Sequence, residues 1–170
     1  MACGYARLHG STIGSLDVFP LHAGIPKGVS NGLGVGFLVE ERLVLEATSP
    51  ALSGKTIHAV NDIVVDKSRS SRLIDVHTHI NGAFAVTYRG DGLIVSTPTG
   101  STGYALSNSG PIVVPTCGVL GITPISPHTL NGRPIIVPDT SLIRIVVESD
   151  SDEVLLSSDG QADLFAKPPL

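Results

Sequence analysis

Apolar and polar positions alternate in short runs along most of this chain. Residues 42–48, Arg-Leu-Val-Leu-Glu-Ala-Thr, show the period of two expected of a half-buried strand. In residues 72–80 the alternation sets Leu73, Asp75, His77 and His79 on one face and Ile74, Val76, Thr78 and Ile80 on the other. Asn81-Gly82 follows, the strongest short hairpin signal, and residues 83–89 supply the returning strand. Further strands are expected over 56–60, 62–67, 92–97, 134–138, 141–149 and 153–159. Short strands separated by turn residues predict a mainly β protein. One segment breaks the pattern. After Leu-Ile-Val-Ser-Thr, Ser101 or Thr102 is placed to cap a single short helix over 102–108, which Gly110 and Pro111 end.

Residues 1–34 read differently. Gly4, Gly10, Gly14, Gly24, Gly28, Gly32 and Gly34 punctuate them, and no helical or strand period is sustained. The expected organisation is a glycine-rich remnant or linker over 1–34 and one β domain over 35–170.

Composition narrows the class. The 170 residues are 42% hydrophobic and 15% charged, which argues against disorder, and 19 Gly with 12 Pro favour turns over a helical bundle. Eleven Lys/Arg against fifteen Asp/Glu give a net charge of −4 with no cationic block, so no nucleic-acid partner is expected. Cys3 and Cys117 are too few for a disulfide framework. No apolar run reaches the roughly 18–20 residues of a membrane helix, and the first residues lack a secretory core, so a cytoplasmic setting without membrane contact is expected.

Few residues offer chemistry by spacing alone. Asn61-Asp62 lies between two strands, either as a turn or as a pair reading a purine edge and ribose hydroxyls. Arg89-Gly90-Asp91-Gly92 is either a surface turn with a local ion pair or a phosphate-compatible loop. The hydroxyl-rich start of the expected helix forms a corner suited to an anion or a ribose, or a plain strand-to-helix turn. His77 and His79 share a strand face without a third ligand at a metal spacing. Gly32, Gly34 and Gly36 do not have the spacing of a dinucleotide fingerprint, and no nucleophile elbow stands out.

The run Arg-Gly-Asp-Gly-Leu-Ile-Val-Ser-Thr-Pro-Thr-Gly-Ser-Thr-Gly-Tyr-Ala-Leu-Ser-Asn-Ser-Gly-Pro-Ile-Val-Val-Pro over 89–115 resembles the carboxy-terminal domain of NAD kinases. Residues 59–67, 122–139 and 157–161 agree with the same family in the same order, and the similarity extends from about Gly34 to Ala166. The resemblance implies stacked β-sheets and phosphorylation of the adenosine 2′-hydroxyl of NAD to give NADP. It implies ATP or another phosphoryl donor with a divalent metal, Mg by preference, and a homo-oligomer, dimer or tetramer. Carried over by position, Asn61 and Asp62 match the pair that holds adenosine. Arg72 falls where many members place a basic or hydrophobic side chain near the ligand. Arg89 and Asp91 match polar residues that reach NAD, partly across a subunit contact. Thr99, Ser101, Thr102, Gly103, Tyr104, Ala105, Leu106 and Ser107 match the segment that wraps adenine and ribose. Gly103 stands where alanine is common, and Gln161 matches a polar position near the nicotinamide end.

The front of the chain departs from the family. The Gly-Gly-Asp-Gly motif that carries the family's catalytic aspartate is absent, and Leu8-His9-Gly10-Ser11-Thr12 is the nearest analogue by order. Gly36-Phe37-Leu38 runs straight into Val39-Glu40-Glu41-Arg42, without the helical insert of relatives, and the chain ends at Pro169-Leu170, short of their returning segment. A truncated or internally shortened NAD kinase is expected, its catalytic residue unassigned. The rival expectations are a non-catalytic NAD(H)/NADP(H)-binding module and a broken product with no stable role.

Overall fold

Alternation along the sequence becomes burial in space. Ile74, Val76 and Thr78 point inward while Asp75, His77 and His79 are half-exposed, as the period of two requires. The same alternation runs through residues 143–148 and 154–158. The computed structural model describes residues 15–31, 34–129, 132–150 and 153–166.

Twelve strands are present among them. The first seven are β1 (Leu16–Asn31), β2 (Gly34–Thr48), β3 (Thr56–Ala59), β4 (Asp62–Asp66), β5 (Ile74–Ile80), β6 (Ala83–Gly90) and β7 (Gly92–Ser96). A 3-10 turn over Gly100–Thr102 leads into the short helix α1 (Tyr104–Ser107). Then come β8 (Val119–Ile125), β9 (Ile135–Pro138), β10 (Ile143–Glu148), β11 (Val154–Ser158) and β12 (Ala162–Ala166). They form two six-stranded sheets, ordered β3-β2-β1-β10-β5-β6 and β12-β11-β4-β7-β8-β9, with antiparallel neighbours throughout. The expected mainly β fold of stacked sheets with one short helix is what the chain adopts, the sheets being two.

One core joins the sheets. Leu16, Leu45, Ile74 and Ile143 of the first meet Ile63, Leu93, Leu120 and Leu156 of the second, all fully or almost fully buried. A second cluster of Val64, Ile94, Ala105 and Ile125 lies where α1 covers the second sheet. That cover explains why β4 and β7 read as nearly continuous apolar runs: both of their faces are shielded.

The hairpin at Asn81-Gly82 forms as expected. Both residues have positive φ, 52° and 82°, and Ile80 pairs with Ala83 across them. Three expectations need correction. Residues 16–31, read as lacking a strand period, form β1. Pro20, Gly24, Pro26 and Gly28 blur its side-chain pattern, yet the backbone pairs with β2 from Asp17–Thr48 to Asn31–Gly34. Strands β8 and β12 were not anticipated from periodicity; Gly121 and Pro124 interrupt the first. The short helix lies within the expected stretch near 102–108, but neither Ser101 nor Thr102 caps it: Gly103 occupies the cap position without a side-chain bond. The expectations on Cys3, on residues 8–12 and on Pro169-Leu170 lie outside the described residues.

Candidate functional site

Three connections meet at one end of the second sheet. They are Val60-Asn61 between β3 and β4, residues 97–103 between β7 and α1, and residues 159–161 between β11 and β12. Between them lies a cleft of about 450 Å³, lined by Asn61, Asp62, Val64, Thr99, Thr102, Gly103, Tyr104, Ser157, Asp159 and Gly160.

The Val60–Asp62 segment is held from two sides. On one, the Asp159 carboxylate accepts the backbone N–H groups of Val60 (2.9 Å), Asn61 (2.7 Å) and Asp62 (3.1 Å), and the Asp159 N–H returns a bond to the Asp62 carbonyl at 3.0 Å. On the other, the Thr97 hydroxyl donates to the Val60 carbonyl at 2.6 Å, and the Thr97 N–H donates to the Asn61 carbonyl at 2.9 Å. The Gly100 N–H donates to the Thr97 hydroxyl at 3.1 Å, tying in the 3-10 turn. With its backbone fixed, Asn61 leaves its side chain exposed on the cleft wall.

The cleft is acidic. Asp62 is buried, and burial pushes its carboxyl up from the usual range to about 6, with the neighbouring Asp159 carboxylate adding to the rise. A carboxylate poised there accepts hydrogen bonds from hydroxyls or amines and titrates near neutrality. Among the described residues no group of three or more His, Cys, Asp or Glu is placed to hold a metal ion. His77 instead bonds the Thr87 hydroxyl through Nδ1 at 2.7 Å, and His79 sits edge-on to Phe84.

The expected site residues separate into groups. Asn61, Asp62, Thr99, Thr102, Gly103 and Tyr104 come together around the cleft. Ser101 and Ala105 are buried inside its wall. The Ser101 hydroxyl donates to the Pro98 carbonyl at 2.7 Å and accepts the Val113 N–H at 2.9 Å, fastening the turn to the loop after α1. Leu106, Ser107 and Gln161 are exposed and outside the lining, the Gln161 N–H closing the β11–β12 turn on the Ser158 carbonyl. Arg72 pairs with Asp150 at 3.1 Å on the open surface. Arg89 lies 3.4 Å from Asp75, while Asp91 pairs with Lys67 at 2.6 Å. Asp159 was missed as a site residue. Asp-Gly at 159–160, at the end of the expected strand 153–159, was the available signal, since that dipeptide favours a turn with positive φ.

A family model for the ATP-NAD kinase C-terminal domain matches residues 60–169. The chain is 43% identical over 133 residues to an NAD kinase of Geotalea daltonii, covering 76% of this chain and 46% of that protein. It is 45% identical over 132 residues to one of Moorella thermoacetica, covering 77% and 42%. It thus spans about half the length of the curated relatives it matches. Among solved structures, yeast NADH kinase complexed with NADH matches with a TM-score of 0.60 at 31% identity, over 90% of this chain and 37% of that one. An NAD kinase from Archaeoglobus fulgidus in complex with ATP matches with a TM-score of 0.59 at 32% identity, over 64% and 42%.

Proposed function

The chain belongs to the NAD kinase family, and from that premise we propose that its cleft is the acceptor site for NAD in a phosphorylation giving NADP. The NAD-binding unit is taken as 35–170, with β1 packed into its first sheet. In this reading Asn61 hydrogen-bonds the adenosine moiety and the Asp62 carboxylate accepts from ribose hydroxyls. Thr99, Thr102, Gly103 and Tyr104 wrap the remainder. The observation that supports it most is the convergence of these six residues, from two separate segments, on one cleft. Ser101 and Ala105 act through the wall. Arg89 is exposed, and an ion pair so placed costs little to break, which leaves it free to reach a ligand shared with a second copy.

The donor, ATP or another phosphoryl compound, and a divalent metal belong to the reading by family. The metal would serve by neutralising charge on the transferring phosphoryl group. No set of described side chains is assembled to hold it, so no step is assigned through it. Titrating NAD into the 170-residue chain and assaying NADP formation on the same preparation tests the reading. Binding with turnover supports an NAD kinase. Binding without turnover supports the second reading, an NAD-binding module, favoured by the absence of Gly-Gly-Asp-Gly from the sequence. Absence of binding overturns both.

A further inference from the structure

The Val60–Asp62 segment carries an exposed polar side chain of the cleft and its buried acid, yet it is only the two-residue link Val60-Asn61 between β3 and β4 and the first residue of β4. The two link residues have no strand partner, and Asp62 pairs with Ser96 on one side only, so the ladder does not fix the three successive amides. One side chain does so. The Asp159 carboxylate takes all three N–H groups, Oδ2 from Val60 and Oδ1 from both Asn61 and Asp62. Bonds from amides to an ionised oxygen are roughly twice as strong as neutral ones. They are further held by geometry, because Asp159 and Gly160 both have positive φ, 51° and 65°, which turns the carboxylate back toward β4.

We propose that Asp159 is a positioning residue of the cleft: its carboxylate presets the Asn61 and Asp62 backbone so that their side chains meet the ligand without further ordering. This rests on the cleft being the NAD site. The physical content is preorganisation. A link that must be ordered when the ligand arrives loses affinity by that ordering cost, and a link ordered beforehand does not. The Asp159 carboxylate also adds to the rise of the Asp62 carboxyl that burial begins, so the two acids repel. The three amide bonds, the Asp159 N–H bond to the Asp62 carbonyl and the pairing of β11 with β4 hold the two residues together.

Asp159→Asn is the variant of choice. Asn accepts positive φ as readily as Asp, so the turn survives, but the side chain loses its charge and presents an NH2 to one of the three donors. Two measurements on the 170-residue chain decide the matter: amide hydrogen exchange at Val60, Asn61 and Asp62 without ligand, and calorimetric titration with NAD. The expected result is exchange at these amides at least about tenfold faster, with other protected amides of β4 and β11 little changed, and NAD affinity roughly tenfold lower or worse. Unchanged exchange at the three amides overturns the proposal whatever NAD does. Faster exchange with unchanged NAD affinity also overturns it. A wild-type chain that binds no NAD removes the NAD-site reading itself, and the positioning role for that ligand goes with it. If Asp159→Asn lowers the melting temperature sharply, Asp159→Glu, which keeps the charge on a longer arm, replaces it under the same two readouts.

Discussion

The Gly100 Cα rests directly on the Asn61 peptide: a Cβ at position 100 would stand 2.0 Å from the Asn61 carbonyl oxygen and 2.4 Å from its carbonyl carbon. No rotamer relieves such a contact, because both partners are backbone. Gly100→Ala is expected to destabilise the protein by about 1–3 kcal/mol or more, the range for forced overpacking. It should also weaken NAD binding, since relief requires the Asn61 segment or the 3-10 turn to move. Thermal melting and NAD titration of the variant check both.

Asn61→Ala tests the other side of that contact. The Asn61 backbone bonds remain, and only the exposed amide is lost. Melting temperature should stay within a few degrees, while NAD affinity should fall by about 1–3 kcal/mol, roughly 5- to 150-fold. Unaltered affinity would return Asn61 to a plain turn.

Ser101→Ala should behave in the opposite way. Its hydroxyl is buried and already satisfied within the wall by Pro98 and Val113. Removing it leaves the Val113 N–H without its partner, at a cost of about 1–3 kcal/mol in stability. A drop in melting temperature larger than the drop in NAD affinity is expected. A loss of affinity with no loss of stability would give the hydroxyl a direct ligand contact instead.

Asp62 makes stability depend on pH in a stated direction. Its carboxyl titrates at about 6 in the folded chain, against about 3.8 when unfolded. Between those values the folded state keeps a proton that the unfolded state has lost. Stability from this group is therefore present below about pH 4 and declines as pH rises through 6. Asp62→Asn should flatten the difference: the variant gains on wild type in melting temperature as the buffer goes from pH 4 to 7. NAD affinity of the wild type should fall in the other direction, as acidification removes the carboxylate that accepts ribose hydroxyls. A melting difference that stays constant with pH would mean that Asp62 titrates normally.

Turnover is expected to lag behind binding. A positioned general base contributes on the order of 10²–10⁴ in rate, and the sequence lacks the family motif that supplies it. NADP formation by this chain alone should therefore lie well below the ordinary kinase range of about 1–100 s⁻¹. Turnover inside that range would require another base. Asp62 would be the first suspect, since Asp91 is engaged by Lys67.

Much of the fold was legible because one rule governs it. Where one sheet face is solvated and the other buried, as in β5 and β10, alternation fixes strand and orientation together. The rule failed where it does not apply. In β1, Pro and Gly erase the pattern while backbone pairing with β2 supplies the strand. At the cleft, the family resemblance singled out Asn61, Asp62 and the Thr99–Ser107 segment, but sequence position cannot tell a lining residue from one behind the wall. Ser101 and Thr102 are adjacent in sequence, yet one is buried with its own partners and the other lines the cleft. Asp159 was illegible as a partner of Val60–Asp62 because nothing local links two segments so far apart.

That separation governs when the cleft can exist during synthesis and refolding. Asp159 lies 97 to 99 positions beyond the amides it holds, and no nascent chain shorter than the β11–β12 turn can complete the contact. Closing so long a loop carries an entropic cost that is recovered only once β4 and β11 have paired. Capture of the ligand thus marks late molecules rather than early ones. In a refolding experiment, recovery of NAD binding should trail recovery of strand signal in circular dichroism, and the fraction able to bind should count the chains whose second sheet is finished.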